Sequence, residues 1–136
     1  MITTVVGNYP RIGLGLKAPS VRLSISKFDR GEIDVNELRR IQDEVTVEAI
    51  QEQTEAGLDL VTDAQIRWND SQTYFAQKLD GFKIMGLVRY FDTNTYYRQP
   101  AAVGKITWQA PIVVNDYKFA SVNSSKPIKP VITGPY

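Results

Sequence analysis

Neither cysteine nor histidine occurs anywhere in the 136 residues. Their absence excludes disulfides, a Cys/His zinc site built from this chain alone, thiol nucleophiles and histidine general bases. A charge of one sign is lacking too. Sixteen basic residues stand against fifteen acidic ones, a net +1, and the Lys and Arg residues are scattered. Neither nucleic acid nor an anionic membrane therefore has an electrostatic claim on the chain. No apolar run approaches a membrane span. The opening Met1-Ile2-Thr3-Thr4-Val5-Val6 has neither the basic start nor the long apolar stretch of a secretory signal, so a cytoplasmic location is expected. What is present is an ordinary globular composition, 43% hydrophobic and 23% charged, and enough chain for one domain with a core.

The pattern along the chain alternates strand and helix signals. Thr3 to Val6 is β-branched and stops at Gly7-Asn8-Tyr9-Pro10, which predicts a short buried strand and a tight loop. Arg11 to Ser20, with its glycines and proline, predicts loop, and Val21 to Phe28 a short helix weakened by Ser24 and Ser26. Asp34-Val35-Asn36-Glu37 is a capping-box pattern, in which Asp34 accepts from backbone N–H groups and Glu37 reaches back. Leu38, Ile41, Val45, Ala49 and Ile50 follow at helical spacing, and Gly57 is placed to end the helix, after roughly five turns. Leu58 to Thr62 predicts a second buried strand.

Asn69 or Asp70 starts a further short helix expected to run to Leu79, with Tyr74, Phe75 and Leu79 inward and Asp80-Gly81 closing it. Phe82 to Phe91 and Thr95 to Trp108, joined by Asp92-Thr93-Asn94, predict a β-hairpin at about 82–108. Asn115 is expected to cap a helix carrying Tyr117, Phe119, Ala120 and Val122. Pro127 and Pro130 bracket a linker, and Val131-Ile132-Thr133 predicts another buried strand. The fold class is α/β. A (β/α)8 barrel needs about 250 residues, so residues 1–136 are expected to supply its N-terminal portion, about three βα units plus the hairpin as an insertion.

Three blocks of residues are similar to one known family. Thr3-Thr4-Val5-Val6-Gly7-Asn8-Tyr9-Pro10 resembles the T-T-x-I-G-S-[FY]-P of the cobalamin-independent methionine synthase catalytic barrel. Gly57 through Phe82 resembles its G-L-D-V-L-V-x-G-E-x-x-R-x-D-x-x-x-Y-F-x-x-x-L-D-G-F without a gap. The matching positions are Gly57, Leu58, Asp59, Asp70, Tyr74, Phe75, Leu79, Asp80, Gly81 and Phe82. Lys126 through Pro135 resembles K-P-V-K-x-x-L-T-G-P. The resemblance implies zinc-dependent methyl transfer to the thiol of homocysteine, giving methionine, in which zinc lowers the thiol pKa. It also implies that the Cys, His and Glu zinc ligands follow the T-G-P segment, beyond Tyr136, so that this chain holds no catalytic or metal residue and is inactive alone. The methyl donor is a methyl-folate or a methyl-corrinoid; the hairpin lacks the G-S-R stretch of folate-using bacterial enzymes and resembles the smaller archaeal core form more.

Position by position, Val6, Gly7 and Asn8 match the loop that cradles the amino-acid part of homocysteine, with Asn8 in place of Ser. Gln65 matches the Glu that pairs with the homocysteine ammonium, and replacing it by an amide removes the charge attraction. Ala64 stands where the family has Gly. Asp70 and Arg98 complete the candidate substrate-binding set, Asp70 being equally suited to cap a helix. Asp59 is expected to satisfy neighbouring backbone. Arg67 and Arg98 suit either a ligand anion or a structural ion pair, and Tyr90, Phe91, Tyr96 and Tyr97 gather at the hairpin tip. Gly7, Gly13 and Gly15 have the wrong spacing for a phosphate loop. Two other readings compete: a barrel of the uroporphyrinogen decarboxylase or corrinoid methyltransferase type, and a non-catalytic half-barrel that self-associates or needs a complementing chain.

Overall fold

The computed structural model describes residues 1–9, 18–94 and 96–134, with the backbone alone at 18 and 19. Two compact units emerge, Met1–Arg67 with Asn115–Val131, and Trp68–Val114 with Ile132–Tyr136.

The first unit is built on two helices. Helix α1 (Ala18–Asp29) begins within the stretch expected to be loop; the rest of that stretch, 11–17, lies outside the described residues. Pro19 falls in its first turn, where a missing N–H costs no helical bond. Ser24 does not interrupt the helix, because its hydroxyl donates back to the Ser20 carbonyl at 2.6 Å. Helix α2 (Val35–Glu55) is 21 residues, nearly six turns. Asp34 caps it, accepting from the Glu37 N–H at 2.8 Å. The reciprocal half of the expected capping box does not form. Glu37 instead turns forward to Arg40 at 2.8 Å, because a guanidinium one turn on offers two charged donors against one backbone N–H. At the other end Gly57 (φ 79°) donates to Thr54 and Leu58 to Gln53, the paired bonds of a Schellman stop.

Both helices bury one face. Val21, Val45, Ala49, Ala64 and Ile66 form one cluster, with Tyr9, Ile25 and Ile41 against it. Ile50, Val61 and Ala120 form a second, with Leu58 and Ile128. Between them runs the 58–62 segment, which bridges Thr4 on one side and Ile128 on the other, both in parallel. The third extended segment is therefore not the expected Val131–Thr133, where Ile132 is 67% exposed. Pairing occurs four residues earlier, through Val61 N–H to the Pro127 carbonyl and Lys129 N–H to the Val61 carbonyl. Pro127 is compatible because the bond it makes uses its carbonyl, not the N–H it lacks.

In the second unit, helix α3 (Thr73–Ala76) has only four residues, so the expected helix to Leu79 does not form. Leu79 already belongs to strand β1 (Leu79–Arg89), which pairs antiparallel with β2 (Tyr96–Trp108) from Leu79↔Trp108 to Arg89↔Tyr96. The hairpin is as expected but starts three residues earlier, and Asp80-Gly81 lies inside it. Gly81 (φ 83°) sits where the register shifts, so close to the Lys105 carbonyl that no Cβ fits. At the tip, the left-handed residue among those described is Phe91 (φ 51°) rather than Asp92 or Asn94. Helix α4 (Val114–Val122) returns the chain to the first unit. Asn115 lies inside its first turn instead of capping it.

Candidate functional site

The C-terminal end of the 58–62 segment leads into a strained backbone turn. Ala64 (φ 57°) and Gln65 (φ 54°) are both left-handed, a conformation costing about 1–2 kcal/mol for each non-glycine residue. Side chains on either side hold it there. The Thr62 hydroxyl accepts from the Ala64 N–H at 3.1 Å, and Asp63 Oδ1 accepts from the Gln65 N–H at 3.1 Å. Thr62 itself is gripped by Gln53 of α2, whose Oε1 accepts from the Thr62 N–H at 2.9 Å and whose Nε2 donates to the Thr62 carbonyl at 3.0 Å. The Gly usual in the family at position 64 was the only sequence signal for this turn; two successive left-handed residues were not foreseeable from composition.

The turn aims Gln65 inward. The residue is 4% exposed, and its Oε1 is buried without a hydrogen-bond partner among the described residues. A buried acceptor left so costs about 1–3 kcal/mol. Beside it runs the N-terminal loop, whose Tyr9 N–H donates to the Ala64 carbonyl at 3.1 Å. Val6, Gly7 (φ 88°) and Asn8 are exposed in that loop, and no described residue lies within 4 Å of the position of a Gly7 Cβ. Tyr9 anchors it from behind; burial raises its phenol pKa, as does a hydrogen bond to Glu52. Four of the six candidate residues, Val6, Gly7, Asn8 and Gln65, thus lie on two adjoining loops of one unit.

Asp63 is the group whose protonation this environment perturbs. Burial pushes its carboxyl pKa up, the Gln65 N–H pulls it down, Asp116 pushes it up again, and Arg67 opposes. Arg67 is itself fully engaged. It pairs with Asp43, donates to the Thr46 hydroxyl at 3.4 Å, lies 3.7 Å from Asp116 and covers the Phe119 ring at 4.8 Å. It is a structural ion pair.

The other two candidates belong to the second unit. Both Asp70 carboxylate oxygens are taken, one by the Gln72 and Thr73 N–H groups at 2.9 and 2.6 Å, the other by the Thr73 hydroxyl at 2.6 Å. Arg98 is half-buried on β2, its carbonyl sharing the single proton of that same hydroxyl with Asp70. Close by in sequence, Trp68 stacks on Tyr74 at 5.1 Å and meets Phe75 edge-on, its buried indole N–H without a partner among the described residues. The remaining motif residues are structural: Asp59 accepts from the Thr3 N–H and hydroxyl, bonds that also hold its carboxyl below the usual range. The tip aromatics pack on one another, Tyr90 against Phe91 and Tyr97, with Phe91 79% exposed. No three Asp, Glu, Cys or His side chains among the described residues converge as metal ligands. No described helix is long and apolar enough to cross a membrane.

Comparison with known proteins agrees with the blocks noted above. The family described as "Cobalamin-independent synthase, Catalytic domain" matches residues 1–136. A methionine synthase of Sulfurisphaera tokodaii is 36% identical over 135 residues, covering 98% of this chain and 38% of that protein. One from Saccharolobus solfataricus is 35% identical, with 98% and 39% covered. The chain thus spans under two-fifths of the length of these relatives. Among solved structures, a B12-independent methionine synthase from Shewanella sp. W3-18-1, in complex with selenomethionine, superposes with a TM-score of 0.65 at 26% identity, over 76% of this chain and 31% of that one. A putative vitamin-B12 independent methionine synthase from Listeria monocytogenes gives 0.58 over 93% and 42%; at 20% identity it speaks for the fold alone.

Proposed function

Since the chain belongs to the cobalamin-independent methionine synthase catalytic-domain family, we propose that it forms the N-terminal part of a barrel that methylates homocysteine to methionine, and that it supplies the loops holding the amino-acid end of that substrate. The observation carrying this reading is the buried Gln65 Oε1, without a hydrogen-bond partner among the described residues, on the turn that adjoins the exposed 6–8 loop. An acceptor in that position calls for a donor on the ligand, and an α-ammonium is a strong one. Gly7 and Asn8 offer backbone and amide groups to the same end of the substrate. Zinc and the thiol chemistry belong to ligands outside this chain, so these residues bind and orient and do not react. The methyl donor is a methyl-folate or a methyl-corrinoid. The hairpin is read as an insertion in the barrel, and the location as cytoplasmic. The family match favours this reading over a decarboxylase-type barrel.

The test is calorimetric titration of the protein, as its gene encodes it, with L-homocysteine and with 4-mercaptobutyrate, which lacks the ammonium. Homocysteine should bind tighter, and Gln65→Ala should erase the difference. Gln65→Glu should tighten homocysteine binding by about fivefold, the gain of a charge-assisted bond. Equal affinity for both ligands in the unaltered protein would defeat the assignment. Separate assays with methyltetrahydrofolate and methylcobalamin then identify the donor.

A further inference from the structure

We infer that Arg67 is a positioning residue for the amino-acid site, holding the left-handed Ala64–Gln65 corner so that the Gln65 amide stays turned toward its ligand. The inference rests on the reading that Gln65 faces the substrate, and goes beyond it by naming what keeps Gln65 there.

Arg67 is two residues past Gln65, and its guanidinium is taken up by protein groups. Its side chain is 14% exposed, and every edge of its guanidinium is used. One terminal nitrogen pairs with Asp43 and the other donates to the Thr46 hydroxyl, both on α2. Nε faces Asp116 and the flat face covers Phe119, both on α4. Arg67 thereby joins two helices to the end of the 63–67 turn. The start of the turn is held by Thr62, Asp63 and Gln53. Two adjacent residues in a disfavoured backbone conformation persist only where the surroundings over-determine them. With the Arg67 end released, the corner can relax toward ordinary φ values, and Gln65 Oε1 would swing away from the ligand. A planar fork is needed here; Lys presents one ammonium and cannot address Asp43, Thr46 and Asp116 together.

The experiment is a double-mutant cycle on the gene-encoded protein, read as homocysteine Kd by calorimetry. Arg67→Met should weaken binding about tenfold in the unaltered background and less than about twofold in a Gln65→Ala background, because the two substitutions remove the same contact. Arg67→Lys should restore part of the affinity, and 4-mercaptobutyrate should bind all variants alike. Equal weakening in both backgrounds would make Arg67 a general structural prop and overturn the inference, with the Gln65 reading intact. If Gln65→Ala alone leaves homocysteine affinity unchanged, the underlying reading fails and this inference with it. Should Arg67→Met not yield folded protein, Asp116→Asn, which loosens one arm of the same clamp, carries the cycle with the same two criteria.

Discussion

The two units of this chain solve the burial problem in opposite ways. In the first, apolar side chains from α1, α2 and the 58–66 segment are enclosed, and Val45, Ala49, Ile50 and Val61 have no exposed surface. In the second, the hairpin carries its large apolar groups outward: Leu87 is 64% exposed, Val103 66% and Trp108 66%. Ladder hydrogen bonds hold the hairpin, whereas the helical unit is held by packing pinned in place by the buried Gln53 hydrogen bonds. A two-stranded sheet alone is marginal in water, so resistance to unfolding should concentrate in the first unit.

The sharpest way to break that contrast is Gln53→Leu. Gln53 is buried and bonds the Ala49 carbonyl and both backbone groups of Thr62. Leucine fills the space but leaves buried peptide groups unpaired, and chemical denaturation should show a loss of about 3 kcal/mol. A loss under about 1 kcal/mol would mean that packing alone carries this unit. In the hairpin, Gly81→Ala forces a Cβ against the Lys105 carbonyl at a left-handed position. Strand separation there should cost about 2 kcal/mol, seen as faster hydrogen exchange in β1 and β2 with α2 unaffected. Loss of protection in α2 as well would show the units to be one cooperative block.

The smallest effect concerns pH. The Asp63 pKa is raised in the folded chain, chiefly by burial. The folded state therefore holds the proton more tightly, and this group's contribution to stability declines as pH climbs from the ordinary Asp value of about 3.9 through the folded one. Asp63→Asn retains an acceptor for the Gln65 N–H and removes the buried charge. Thermal melts from acid to neutral pH should show the variant gaining on the parent as pH rises; parallel curves would mean the carboxyl is solvated.

Local signals were legible in the sequence and distant pairings were not. Helix α2 announced itself through Asp34, its apolar spacing and Gly57, all features of neighbouring residues. Helix α3 was overestimated because Leu79 fits a helical stripe, and only its partner Trp108 shows that a ladder claims it. Val131 to Thr133 looked the better strand by composition, yet Val61 selects Ile128. The likeness to a family brought Asn8 and Gln65 into view, and the fold places their loops together through Tyr9 and Ala64. The Arg67 clamp stayed hidden because Asp43 lies 24 residues away and Asp116 belongs to another helix.

The parallel arrangement around Val61 also has a history in time. Thr4, which bridges the adjoining Leu60, is made before it, but Ile128 is made 67 residues after Val61. At roughly 5–20 residues per second, synthesis leaves that flank of the 58–62 segment without its native partner for roughly 3–13 seconds. The Lys129 ammonium, which donates to the Val5 carbonyl at 2.5 Å, arrives in the same interval. The N-terminal loop with Gly7 and Asn8 is therefore held first through Tyr9 and Ala64 and gains its second fastening, at Val5, only when Lys129 has been made.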